Sequence, residues 1–396
     1  MTNAIDVERA RAETPGVAHV IHLNNCGAGL MPAPVLAAVL NHLRLEAEIG
    51  GHEAAERAVA AVEHCYDAGA ALLNCRRDEV AVVENATVGW DMAFYGMRFA
   101  PGERILTAAA EYASNYIAYL QVARRTGAEI VVVPNDAGGQ LDVRALENLI
   151  DEKTRLISVT HVPTGGGLVN PAAAIGRIAR AAGVPYLLDA CQSAGQMPLD
   201  VEAIGCDMLS ATSRKFLRGP RGAGFLYVRT ETLERLEPPF LDLHAARWAS
   251  RERYELRPDA RRFENWENYI AGKIGLGVAI DYALGWGLQA IRERVYALAD
   301  GIRARLAALR GVAVHDLGVE KCGIVSFTVD GHDPHAVKRG ARAAGINIDT
   351  SSAFSTRIDM EARDLQLVNR LGVHYYNSEA EIDRFLDYVE GLAPRS

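Results

Sequence analysis

Ser210-Ala211-Thr212-Ser213-Arg214-Lys215, followed by Gly219-Pro220-Arg221-Gly222-Ala223-Gly224, is the stretch on which the reading of this chain turns. Residues 208–211 read as a short buried strand, so Lys215 stands just past a strand end. The small side chains around it let a bulky group approach. The hydroxyls and Arg214 can hold an anion, and the neighbouring positive charge lowers the lysine pKa toward nucleophilicity.

The next piece lies upstream. Tyr186-Leu187-Leu188-Asp189-Ala190-Cys191-Gln192-Ser193-Ala194-Gly195 puts a carboxylate at the end of an apolar strand. An aspartate in that place is also a favoured helix cap. With Gln192 beside it and Lys215 downstream, the functional reading prevails. A lysine able to form a Schiff base and a carboxylate able to pair with a pyridinium nitrogen are the protein side of pyridoxal 5'-phosphate (PLP) chemistry.

Short β-branched runs at 80–85, 104–107, 129–134, 156–162, 186–189, 208–211 and 224–228 alternate with helical patterns at 115–126, 143–150 and 172–182. That alternation predicts an α/β domain with a mostly parallel sheet and a ligand site at the carboxyl ends of its strands. Residues 268–309 read as almost wholly helical, with Gly275 and Gly277 placed to let backbones pack closely. Beyond them a smaller α+β domain is expected, with strands at 324–329 and 368–375 and helices at 334–344 and 379–392. The expected divisions are an N-terminal arm (1–30), a large domain (31–268), a linking helix (269–300) and a small C-terminal domain (301–396).

Two further strand ends carry suggestive residues. Ala86-Thr87-Val88-Gly89 opens a helix, and a helix N-terminus with small residues and a hydroxyl suits a phosphate. It is equally an ordinary strand-to-helix turn capped by Thr87. Tyr112, in Glu111-Tyr112-Ala113-Ser114-Asn115, can stack on a flat heteroaromatic ring or form a lid over the core.

A net charge of -8 without a long basic run argues against nucleic acid or an anionic membrane as partner. The six cysteines (26, 65, 75, 191, 206, 322) contain no CxxC pair, which argues against a metal site and a disulfide scaffold and for reduced thiols. No signal-peptide pattern opens the chain and no run of about eighteen apolar residues occurs, so the expected compartment is the cytoplasm.

Taken in order, Ala86-Thr87, Glu111-Tyr112, the 189–195 motif, Thr212-Ser213-Arg214-Lys215 and Gly219-Pro220-Arg221-Gly222 resemble the class V aminotransferase group. That group takes in the cysteine desulfurases, the isopenicillin N epimerase-like proteins and the hercynylcysteine sulfoxide lyases, the last two being the nearer in pattern. The likeness runs from Leu23-Asn24-Asn25 to the C-terminal helix. It implies a PLP-dependent transferase of fold type I and a homodimer with composite active sites. By position, Lys215 is implied as the Schiff-base lysine, Asp189 as the partner of the pyridine nitrogen and Gln192 as a donor to the cofactor phenolate. Ala86, Thr87, Thr212 and Arg214 are implied at the phosphate, and Tyr112 on the ring with a catalytic part. Thr164 is implied as a further cofactor contact. Asn25 and Arg370 are implied at the substrate, Arg370 gripping its α-carboxylate, a task that suits a bidentate fork.

Departures from the pattern matter too. Desulfurases carry histidine where Tyr112 and Arg214 stand, and asparagine where Thr164 stands. Residues 349–357, Asp349-Thr350-Ser351-Ser352-Ala353-Phe354-Ser355-Thr356-Arg357, occupy the region of the persulfide-forming cysteine and contain none. A sulfur relay needs a thiolate to accept the sulfur. The resemblance, less that cysteine, implies α,β-elimination that cleaves a cysteine S-conjugate or its sulfoxide. Epimerisation, transamination and decarboxylating oxidative deamination remain the alternatives. The segments 46–52 and 262–268 also resemble sulfoxide lyases, the second being the loop that approaches the partner subunit's cofactor in this family.

Overall fold

The computed structural model describes residues 4–393. Its large domain is built on a seven-stranded sheet in the order Val80–Val83, Gly224–Val228, Met208–Thr212, Tyr186–Asp189, Thr154–Thr160, Arg104–Ala108, Glu129–Val133. Gly224–Val228 runs antiparallel to both neighbours, and the other pairings are parallel. The central strands are buried on both faces, which is why they read as continuous apolar runs rather than alternating ones. Tyr186–Asp189 and Met208–Thr212, lying side by side, bring Asp189 and Thr212 to the same end of the sheet.

The helical run expected over 268–309 is two helices, Ile270–Trp286 and Leu288–Ala308, whose axes meet at 77°. Gly287 separates them at φ +84, a backbone state that favours glycine. Ile270–Trp286 is apolar all round because it is enclosed by the helices Ala33–Ile49 and Val59–Leu73. A Cβ on Gly275 would stand 2.6 Å from a Val39 methyl, and one on Gly277 would stand 3.2 Å from the Cys65 Cα. A side chain at Gly275 would displace Val39, and one at Gly277 would push the two helices slightly apart.

The small C-terminal sheet is antiparallel, in the order Val312–Val314, Ile324–Val329, Leu367–Gly372, Asp349–Ser352. The last strand ends at Gly372, short of the expected 375, because Val373 onward turns back toward Lys215: His374 Nε2 lies 2.7 Å from the Phe216 carbonyl. The N-terminal residues join the same region, with Ile21–His22 pairing in parallel with Ile346–Asn347. Segment 46–52 straddles a break at Gly50 between the helices Ala33–Ile49 and Gly51–Arg57.

Candidate active site

A cavity of about 200 Å³ opens at the carboxyl ends of the parallel strands. Every candidate cofactor residue lines it: Ala86, Thr87, Tyr112, Thr164, Asp189, Gln192, Thr212, Arg214 and Lys215. A wider depression of about 510 Å³, between Ile5 and the helices Leu288–Ala308 and Glu379–Glu390, holds none of them.

One wall is the N-terminus of the helix Ala86–Tyr95. Its cap is Asn85, whose Oδ1 accepts the Val88 N–H at 3.0 Å, not Thr87. The Thr87 hydroxyl is thereby left for a ligand, and the positive end of the helix faces the cavity with it. The helix start sits tight against the sheet: a Cβ on Gly224 would meet the Ala211 carbonyl at 2.7 Å and the Ala86 nitrogen at 3.1 Å.

The opposite wall carries Lys215. Burial, reinforced by the positive charges of Arg214 and Arg370 and opposed by Cys191 and Asp189, holds its amine below the ordinary lysine value. The turn bearing it is pinned from below by Arg218, a residue the sequence did not single out. Arg218 is buried at φ +59 and donates to the Leu30 carbonyl (2.8 Å), the Tyr375 hydroxyl (2.7 Å) and the Thr14 hydroxyl (2.6 Å). Arg214 donates to the Gly27 carbonyl, and the Gly29 N–H donates back to the Arg214 carbonyl at 2.8 Å.

Asp189 ends its strand with both carboxylate oxygens engaged. Oδ1 accepts the Cys191 N–H at 2.9 Å, and Oδ2 accepts the Asn115 amide at 3.0 Å. Asn115 and the buried Glu111 behind it were also missed as functional residues. Glu111 precedes the helix Ala113–Thr126, whose cap Tyr112 is extended, so helical spacing gave no signal for the pair.

Gln192 donates through Nε2 to the Cys26 carbonyl (3.1 Å) and the Thr164 hydroxyl (3.4 Å), and its buried Oε1 has no partner. Arg370 stands behind Thr164, donating to its hydroxyl at 2.5 Å. Its buried Nε is unpartnered, and among the described residues no carboxylate pairs with the guanidinium. The nearest acid, its cross-strand neighbour Asp349, is paired with Lys338, so the guanidinium keeps donors free for a ligand carboxylate. Asn25, implied at the substrate, is held by protein partners. It is fully buried outside the cavity lining, its amide donates to the Gly372 carbonyl at 2.8 Å, and its oxygen accepts from the Tyr376 hydroxyl at 2.6 Å. With both ends of the amide engaged, it joins the N-terminal segment to the small domain. The 262–268 loop is anchored by Glu264, which accepts from the Val82 N–H at 2.7 Å and from the Tyr66 hydroxyl at 2.8 Å.

The donor set fits PLP: two hydroxyls, an arginine and a helix N-terminus for a phosphate, an aspartate for a ring nitrogen, and a depressed lysine amine. A family model described as aminotransferase class-V matches residues 21–385. The chain belongs to that family. The chain is 30% identical to a probable cysteine desulfurase of Methanothermobacter thermautotrophicus, covering 98% of each chain. Its structure overlays the apo form of a cysteine desulfurase from Thermococcus onnurineus NA1 with a TM-score of 0.92, 27% identity and 99% of each chain covered. A cystine C–S lyase solved with its reaction product cysteine persulfide shares the fold, with a TM-score of 0.85, 23% identity and coverage of 96% and 100%. The chain is a PLP enzyme of fold type I.

Proposed function

We propose that this enzyme is a lyase that cleaves the C–S bond of a cysteine S-conjugate or its sulfoxide by α,β-elimination. The observation that carries the reading is the chemistry of the thiols and hydroxyls around Lys215. The loop that follows the strand Asp349–Ser352 is tied to the cavity wall by the Ala113 N–H, which donates to the Ser355 carbonyl at 3.0 Å, and it brings Ser, Phe and Thr side chains but no cysteine. The cavity thiol, Cys191, is pushed up by burial and by Asp189, so it is protonated at neutral pH and a poor sulfur acceptor. Among the described residues, no thiolate beside Lys215 is poised to take sulfur as a persulfide.

Bound PLP supplies an electron sink that acidifies the substrate α-proton. Arg370, unpaired behind Thr164, receives the substrate carboxylate. Asp189, held by Cys191 N–H and Asn115, keeps a proton on the ring nitrogen. The Lys215 amine takes the α-proton, its lowered pKa suiting a base that works near neutrality. The C–S bond then breaks with its electron pair on sulfur, giving a thiol or sulfenate, and the three-carbon remainder hydrolyses to pyruvate and ammonia.

The test is product analysis of holoenzyme given an S-alkyl cysteine, its sulfoxide and free cysteine. Pyruvate released in step with the thiol or sulfenate product is expected. Alanine with sulfane sulfur from free cysteine, an inverted α-carbon, or carbon dioxide would each overturn the reading.

A second copy of the chain is the proposed partner. Trp248 (79% exposed) and Leu243 (72%) stand out on and beside the hairpin Ala246–Ser250/Arg253–Leu256, with Trp266 half exposed nearby in the 262–268 loop. A single sedimenting species of twice the chain mass is expected, and a stable monomer that retains activity would refute the pairing.

A further inference from the structure

Glu111 is a buried carboxyl that the reading above leaves without a task. It accepts five hydrogen bonds: from the Thr107 hydroxyl (3.1 Å), the Tyr112 N–H (2.9 Å), the Asn115 amide (2.9 Å), the Thr160 N–H (3.0 Å) and the Thr160 hydroxyl. These donors belong to the strand Arg104–Ala108, the start of the helix Ala113–Thr126 and the strand Thr154–Thr160, so one side chain ties three elements together. The same Asn115 nitrogen that donates to Glu111 donates to Asp189 Oδ2 at 3.0 Å. A single amide therefore bridges two carboxyls, one of them in the cavity wall and the other behind it. The remaining titratable groups that face Glu111 are the buried phenols Tyr119 and Tyr186, and among the described residues no lysine or arginine pairs with it. Burial and the nearby Asp189 charge raise the Glu111 carboxyl to about 7 against the pull of its donors, so it passes from neutral to charged around neutral pH.

We propose that Glu111, through Asn115, is a positioning residue that fixes the Asp189 carboxylate and, when ionised, places a second negative charge behind it, so that the two carboxyls together favour the protonated cofactor. The hydrogen bond to the Tyr112 N–H also sets the start of the helix that carries Tyr112 into the cavity. The inference rests on the family's cofactor and not on the identity of the bond cleaved. Its outcome is therefore separable from that of the lyase assay.

The experiment titrates reconstituted holoenzyme and reads the pH midpoint of its visible band and its dissociation constant for PLP. Glu111→Gln keeps the shape and removes the charge, so proton loss becomes easier and the midpoint falls by about one pH unit. Asn115→Ala breaks the bridge and weakens PLP binding by about tenfold. Thr107→Val deletes one hydroxyl contact to Glu111 and keeps both charge and bridge, so midpoint and affinity stay native. A native midpoint in Glu111→Gln overturns the proposal. So does an equal shift in Thr107→Val, which would make packing rather than charge responsible. If Glu111→Gln does not fold, native PLP affinity in Asn115→Ala overturns it.

Discussion

Arg370 Nη1 donates to the Thr164 carbonyl at 2.9 Å, joining the small-domain sheet to the wall of the cofactor cavity. The contact leaves Nε of the same guanidinium buried and unpartnered. A ligand carboxylate arriving there finds free donors, and the hydrogen bonds are charge-assisted. Arg370→Ala should lower kcat/KM by about 100-fold, chiefly through KM, because binding rather than the proton step is lost. The visible band of bound PLP should persist. Steady-state kinetics alongside an absorption spectrum check this, and a fall confined to kcat would place Arg370 elsewhere in the reaction.

Lys215→Ala removes the one amine in the cavity. Loss of a positioned base costs about 10²–10⁴ in rate. Because the cavity has room for a small molecule once the side chain is gone, added methylamine should restore part of the turnover. Its rate should rise with the free-base fraction of the amine. Activity in the variant without added amine, equal to the native enzyme, would sink the assignment.

What could be read in the sequence follows contact range. Strand ends followed by Asp189, Thr212 or Thr87 announce themselves locally, since an apolar run and the residue after it are neighbours in the chain. Lys215 belongs to the same class. The supporting contacts do not. Asn115 meets Asp189 across 74 positions, Thr14 meets Arg218 across 204, and Asn25 meets Tyr376 across 351. Asn25 was implied at the substrate by the resemblance alone, and its hydrogen bonds to Gly372 and Tyr376 come from the small domain folding back onto it. Nothing in the periodicity of either segment announces that meeting.

Arg218 shows what such a contact is worth. Its three neutral acceptors, the Leu30 carbonyl and the Thr14 and Tyr375 oxygens, lie in a buried site, and its guanidinium lies 4.4 Å from the Tyr376 ring centre. Arg218→Ala strands these groups and opens a void, at a cost of about 2–4 kcal/mol. Urea denaturation should report that loss. Because Arg218 lies three residues past Lys215 in the same turn, kcat should fall with it.

His374 gives a pH signature. It is fully buried, with Nδ1 accepting from the Tyr375 N–H at 2.9 Å and Nε2 held at 2.7 Å from the Phe216 carbonyl, an arrangement for the neutral ring. Burial and Arg218 push its pKa down from 6.5 to about 3. The unfolded chain therefore binds the extra proton first. Stability present above about pH 6.5 is lost as pH falls, by about 3 kcal/mol at pH 4. His161, lowered by burial to about 4, adds to the same limb. Chemical denaturation at a series of pH values should show His374→Asn with a shallower acid limb, whatever its stability at pH 7. An unchanged slope would mean that the ring is already charged in the folded protein.

The thiols allow a test that needs no variant. Cys191 lines the cavity within the field of both Asp189 and Lys215. Burial dominates and raises its pKa, so almost none of it is thiolate at neutral pH, and nucleophilic attack by cysteine requires the thiolate. Cys26, beside the same site, is raised for the same reason, although Arg370 and Lys215 pull it the other way. Iodoacetamide at about pH 7.5 should therefore label both more slowly than a free cysteine peptide, whose pKa is about 8.5. Peptide mapping of the alkylated holoenzyme reads the two rates separately. Rapid labelling at Cys191 would mean that a sulfur acceptor does stand in the cavity, and elimination would then have to compete with a relay.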